Sequence, residues 1–125
     1  MREIKFRGKT GNGNWVYGDL TFSRYGNPYI GSPLKKWSGV KRNTVGQYTG
    51  MKDSTGKEIY EGDIVRTSDN DDELAVVEWD EEDLRFTVTH GNVVNGLGEE
   101  YYPREVEVVG NIYDDPELLG GDASD

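Results

Sequence analysis

Residues 49–65 read TGMKDSTGKEIYEGDIV. The stretch packs three glycines and four acids ahead of the β-branched pair Ile64-Val65. Asp53-Ser54-Thr55-Gly56 has the composition of a β-turn, in which Asp accepts backbone N–H bonds and Gly supplies a positive φ. Glu61-Gly62-Asp63 reads as a second tight turn that aims Ile64 and Val65 into a sheet. Ile59 and Tyr60 are the apolar anchors between the turns. Turn signals this close together leave room for short strands only.

The same grammar extends to both sides. Residues 2–7, REIKFR, alternate in period two and predict a half-buried strand with Ile4 and Phe6 inward. Gly8 to Asn14 is a turn cluster around Asn12-Gly13, and Trp15 to Leu20 resumes as a strand, with Trp15 or Val16 on the core side. Residues 21–42 lack a sustained period and predict short irregular strands and loops, with Tyr25-Gly26-Asn27-Pro28 as a turn. Residues 43–48 look extended.

Beyond the opening stretch, residues 68–73 read as a polar loop and Leu74–Trp79 as a strand. Asp80–Asp83 is a hairpin loop, and Leu84–Thr89 returns with Leu84, Phe86 and Val88 inward. Residues 90–100 read as a glycine-containing loop. Residues 104–113 form the last strand, with Val106, Val108, Gly110 and Ile112 on one face. Asp115 as N-cap, Pro116 at N1 and Gly120 as stop predict one short C-terminal helical turn. The fold expected is all-β: a small barrel-like, SH3-like antiparallel sheet over residues 58–113, with an N-terminal β-hairpin annex over 1–57. Together they form one domain over 1–120, and 121–125 is a tail.

Charge divides the chain. Residues 1–57 carry eleven Lys/Arg against three acids, a net +8, while residues 58–125 carry three Arg against 21 acids, a net −18. The two halves can therefore attract each other, within a chain or between chains, or the basic half can face phosphate. Cysteine is absent, which removes disulfides and thiolate metal ligands and suits a reducing cytosol. No stretch approaches the ~18 apolar residues of a membrane span. No charged start leads into an apolar run, so no signal peptide and no membrane contact are expected.

QYTGMKDSTGKEIYEGDIV (47–65), VVEWDEEDLRF (76–86) and VEVVGNIYDDPELL (106–119) resemble the YopX family of phage and prophage proteins. REIKFRGK and WVYGDL near the start do so too, and the resemblance runs from Arg2 to about Leu119. It implies a small β-rich protein of bacteriophage or prophage origin, acting in the bacterial host cytoplasm, with no catalytic residues to carry over. Tyr48, Gly50, Asp53, Gly56, Ile59, Tyr60, Gly62, Asp63, Trp79, Gly110 and Pro116 are the motif positions, and they read as structural.

The residues themselves point away from catalysis. His90 is the only histidine and has no cysteine to partner, so a nucleophile–base pair through it is not expected. The acidic runs Asp69–Glu73 and Asp80–Asp83 lack the bend glycine of a calcium loop, and they read as solvated tips that discourage edge pairing. Glu58, Glu61 and Asp63 flank Ile59 and Tyr60 and read as turn caps rather than a catalytic carboxylate pair. Gly11-Asn12-Gly13 precedes a strand, not the helix a phosphate loop needs. No enzyme activity, metal or cofactor is expected.

What remains is binding. Arg24, Tyr25, Tyr29, Lys35, Lys36, Trp37, Lys41 and Arg42 interleave cations with aromatics. One reading is a protein-interaction module that forms homo-oligomers or binds a host or phage protein, with aromatics as anchors. The alternative is single-stranded nucleic acid, with bases stacked on the aromatics and phosphates neutralised by the cations. The −18 half opposes a broad polyanion approach.

Overall fold

A computed structural model describes residues 3–67, 70–90, 93–98 and 105–120. The chain divides into two compact units, Met1–Gly50 and Met51–Asp125.

The first unit is an antiparallel sheet. Its strands are β1 (Phe6–Lys9), β2 (Trp15–Phe22), β3 (Pro28–Gly31), β4 (Ser38–Gly39) and β5 (Gly46–Lys52), whose end passes into the second unit. The lateral order is β4-β3-β2-β1-β5. The predicted hairpin forms: Gly13, at φ +87°, closes the turn with its N–H on the Thr10 carbonyl at 2.9 Å. Lys9 then pairs with Trp15 and Arg7 with Tyr17. Paired residues share a sheet face, so all four of these side chains lie together. Among the described residues of this unit, Ile30 and Tyr48 are the buried large hydrophobic side chains. A 3-10 turn at Arg42–Thr44 precedes β5, so only part of 43–48 is extended.

The second unit holds β6 (Glu58–Tyr60), β7 (Asp63–Thr67), β8 (Asn70–Asp80), β9 (Arg85–His90), β10 (Val93–Gly96) and β11 (Val106–Asn111). Its main sheet is antiparallel, in the order β10-β9-β8-β7-β11. Ile59, Val65, Val77, Val88 and Val106 are each at most 2% exposed and form one cluster with Ala75, Phe86, Leu97 and Val108. Each fully buried side chain of this kind contributes about 2 kcal/mol, so this cluster is the main apolar support of the unit.

The turns of residues 49–65 are built as their composition dictates. The Asp53–Gly56 turn closes through Gly56 N–H on the Asp53 carbonyl, with Gly56 at φ +91°. It also lies along β11: Ser54 N–H donates to the Val106 carbonyl at 3.0 Å and Val108 N–H donates to Asp53 Oδ2 at 2.8 Å. β11 is the terminal strand of its sheet and pairs only with β7 among the described residues. The turn thus consumes backbone groups that an edge strand would offer to another strand. Here the structure corrects the barrel-like expectation: the sheets are open, with linear strand orders. Closure needs the terminal strands to pair with each other, and the turn takes bonds on β11 that closure would use.

Other local expectations shift for identifiable reasons. Ile4 is 65% exposed and Phe6 half-buried, while Arg7 and Gly8 are buried. Pairing with β2 and β5, not the period of the segment alone, decides which face is covered. The turn expected at 25–28 sits at Ser23–Gly26, closed by Gly26 N–H on the Ser23 carbonyl, because Pro28 is already in β3. β8 begins at Asn70, inside the predicted polar loop. Residues 68–69 and the side chains of 70–73 lie outside the described residues. Part of the predicted 90–100 loop is β10, paired to β9. Leu84 is 72% exposed because it closes the β8–β9 turn at φ +54°, and Thr87 is buried. The last strand is shorter than predicted and carries a bulge between Val108 and Gly110; Arg104 lies outside the described residues. Pro116–Leu119 is the expected helical turn, and Gly120 ends it at φ +75°. Asp115 does not cap it through its side chain; Oδ2 instead accepts from Asn111 N–H at 3.1 Å.

Candidate functional site

On the first unit, the face shared by β1 and β2 carries a stack of cations on indole. The Arg7 guanidinium lies 4.6 Å and the Lys9 ammonium 5.7 Å from the Trp15 ring centroid. Both are within the range of cation–π attraction. Tyr17 stands beside them, 53% exposed. The loop between β3 and β4 folds back here, and Gly31 permits it: a Cβ at Gly31 would collide with the Lys36 carbonyl oxygen. The result is a groove of about 460 Å³ lined in part by Trp15, Tyr17, Lys35 and Lys36. A second depression, about 320 Å³, is lined by Asn27, Tyr29, Lys41 and Arg42 among others. Arg42 is held there by its Nη2, which donates to the Gly26 carbonyl at 2.7 Å.

On the second unit, a groove of about 540 Å³ runs over β8 and β9. Val76, Val94, Ile112 and Tyr113 supply apolar surface, and Glu61, Glu78 and Asp80 supply carboxylates. Tyr113 reaches its place because Gly62 has no side chain; a Cβ there would lie 3.0 Å from the Tyr113 ring.

The acids of residues 49–65 are engaged. Asp53 Oδ1 accepts from Thr55 N–H, Thr55 Oγ1 and Lys57 N–H at 2.8–2.9 Å, while Oδ2 takes Val108 N–H. Burial pushes the Asp53 carboxyl up, but these hydrogen bonds favour the charged form and outweigh it, so its pKa lies below the ordinary value. Asp63 Oδ2 accepts from Tyr60 N–H at 2.7 Å, and Glu58 accepts from the Tyr60 hydroxyl at 2.9 Å. Asp80 Oδ1 accepts from the N–H groups of Glu82 and Asp83 in the β8–β9 turn. His90 is exposed, with Nδ1 2.9 Å from the Leu74 carbonyl oxygen. Among the described residues no group of three or more His, Cys, Asp or Glu side chains is placed to hold a metal ion, and no helix is long and apolar enough to cross a membrane.

Residues 5–120 match the family model described as YopX protein. The chain belongs to the YopX family. The crystal structure of protein EF1440 from Enterococcus faecalis is similar to this YopX-family chain, with a TM-score of 0.64 and 23% sequence identity. The match covers 95% of this chain and 99% of EF1440. At that identity the likeness concerns the fold. No curated protein matches the chain.

The eight cationic and aromatic residues singled out in the YopX sequence do not converge on one site. Lys35 and Lys36 line the larger groove of the first unit, and Tyr29, Lys41 and Arg42 the smaller depression. Arg24 and Tyr25 sit in the β2–β3 turn, with the guanidinium 5.4 Å from the ring centroid, and Trp37 is half-buried. Trp15, Tyr17 and Lys9, with the buried Arg7 stacked against the Trp15 ring, are not among those eight residues. The Asn12-Gly13 turn carries the signal that finds them. Once it fixes Lys9 opposite Trp15, residues 7, 9, 15 and 17 must share one face.

The motif positions singled out in the sequence lie in strands and turns. Tyr48 is buried, with the Lys5 ammonium 5.4 Å from its ring centroid, and Gly50 sits in β5 at φ +85°. Ile59 and Tyr60 are buried. Trp79 packs edge-on against Phe86 with ring centroids 4.9 Å apart. A Cβ on Gly110 would meet Asp115 Oδ2 at 2.6 Å and Leu118 Cδ1 at 2.9 Å, so a larger residue there must displace both side chains. Pro116 opens that turn.

Proposed function

We propose that this YopX-family chain is a non-catalytic binding module that self-associates, the basic unit of one copy facing the acidic unit of another. Family membership supports an origin in bacteriophages or prophages and action in the host cytoplasm. The observation that carries the reading is where the charge changes sign. Residues 1–50 hold nine Lys/Arg and two acids, a net +7, and residues 51–125 hold five Lys/Arg and 22 acids, a net −17. The division by charge coincides closely with the division into units. Opposite fields on separate bodies attract between copies and are screened beyond roughly 10 Å at 0.1 M salt.

Static light scattering tests this. At 20 µM protein the expected mass is a dimer or larger in 20 mM salt and falls toward the monomer in 500 mM salt. A monomer under both conditions removes the reading.

A second reading is favoured by one feature, the Trp15–Tyr17 face bordered by Lys35 and Lys36. Such a face can stack bases and neutralise phosphates. Fluorescence anisotropy with a labelled 12-mer of deoxythymidine tests it. Binding that weakens steeply with salt, and is reduced about tenfold by Tyr17→Ala, supports it. No binding at 20 mM salt excludes it.

A further inference from the structure

The loop between β3 and β4 has the form of a docking tip. Lys35 N–H donates to the Ser32 carbonyl at 3.1 Å, so Pro33 and Leu34 are the central residues of a β-turn. Proline at that first central position fixes φ and stiffens the turn. Pairing of Ile30 with Ser38 anchors the loop at its base, and the loop backbone at Lys36 passes so close to Gly31 that a side chain there would collide with it. Leu34 at the tip is 95% exposed, and Lys35 and Lys36 follow it directly, both exposed. A lone exposed leucine is ordinary. Here the apolar tip is held out by a fixed turn and is followed at once by two cations.

The groove on the second unit has the opposite character. Its apolar surface comes from Val76, Val94, Ile112 and Tyr113, and Glu61 and Glu78 bring carboxylates to the same groove. We infer that this groove receives the Pro33–Lys36 loop of a second copy of the chain, Leu34 entering among the apolar residues and Lys35 and Lys36 pairing with the carboxylates. The inference rests on the self-association reading and specifies its contact surfaces. Charge complementarity selects a second copy as occupant: the loop lies in the +7 unit and the groove in the −17 unit of the same sequence. An apolar anchor in a pocket, ringed by charge pairs, is the arrangement that concentrates binding energy at interfaces.

A charge exchange tests the inference. One variant carries Lys35→Glu and Lys36→Glu; the other carries Glu61→Lys and Glu78→Lys. Sedimentation velocity at 20 mM salt should show each variant alone as monomer and an equimolar mixture assembling as the wild type does. Leu34→Ser changes only an exposed tip and should leave the melting midpoint unchanged while raising the dissociation constant tenfold or more. That variant keeps the test open if a charge variant fails to fold. Variants that assemble alone like the wild type, folded variants whose mixture stays monomeric, or an unaltered Leu34→Ser would each overturn the contact while leaving salt-sensitive self-association standing. A wild-type monomer at 20 mM salt would overturn both.

Discussion

Asp53→Ala should cost the protein about 4 kcal/mol of stability. The Asp53 carboxylate accepts four hydrogen bonds, three of them from backbone N–H groups. Hydrogen bonds to a charged group contribute about 1.5–3 kcal/mol each, and a buried donor left without an acceptor costs about 1–3 kcal/mol. Alanine removes every acceptor at once, and the Val108 N–H is among the donors it strands. The loss exceeds that of an ordinary turn because this turn also covers one side of β11. Chemical denaturation with circular dichroism measures it; a change under 1 kcal/mol would mean the turn is not what holds β11.

The same residue fixes a pH signature. Its folded pKa lies below its unfolded one, so its contribution is fully present above the unfolded value of about 3.9. The contribution fades as pH falls through the folded pKa. The stability gap between wild type and Asp53→Asn should therefore be flat from pH 8 to pH 5 and close in stronger acid. A gap that stays constant to pH 2 would mean the carboxylate charge is irrelevant.

Gly62→Val should cost about 3 kcal/mol. Gly62 holds φ at +94°, where a β-branched residue is strained, and the new Cβ would stand 3.0 Å from the Tyr113 ring. Its backbone is also committed on two sides, with N–H on the Val77 carbonyl and C=O accepting from Ile112 N–H. The chain there cannot rotate to relieve the strain. Gly56 separates the two causes: it has nearly the same φ, +91°, but nothing within 4 Å of its added Cβ. Gly56→Val should thus lose only the backbone part, about 1–2 kcal/mol. Equal losses at the two sites would remove Tyr113 from the explanation.

Where local chemistry decides, the sequence was readable. Asp53–Gly56, Glu61–Asp63, the Asn12-Gly13 hairpin and the Asp80 turn need only their own side chains and glycines, and all form. Where partner strands decide, it was not. Nothing in His90–Gly98 announces β10, whose valines are about half exposed and whose order comes from pairing with β9. Asn70 enters β8 against a run of acids for the same reason. The open sheet was hidden because the obstacle to closure is a contact between Asp53 and Val108, 55 residues apart. The candidate surface was half legible: its lysines were evident, but whether Trp15 or Val16 faced the core stayed open until the hairpin register set their face.

Attraction between unlike units of different copies is measured directly by zero-length cross-linking. An equimolar mixture of unlabelled and ¹⁵N-labelled chain is treated with a carbodiimide in 20 mM salt and digested for mass spectrometry. Mixed-isotope links should join lysines of residues 1–50, Lys35 and Lys36 foremost, to carboxylates of residues 51–125, and should vanish in 500 mM salt. Links confined to single-isotope pairs at low salt would contradict the account.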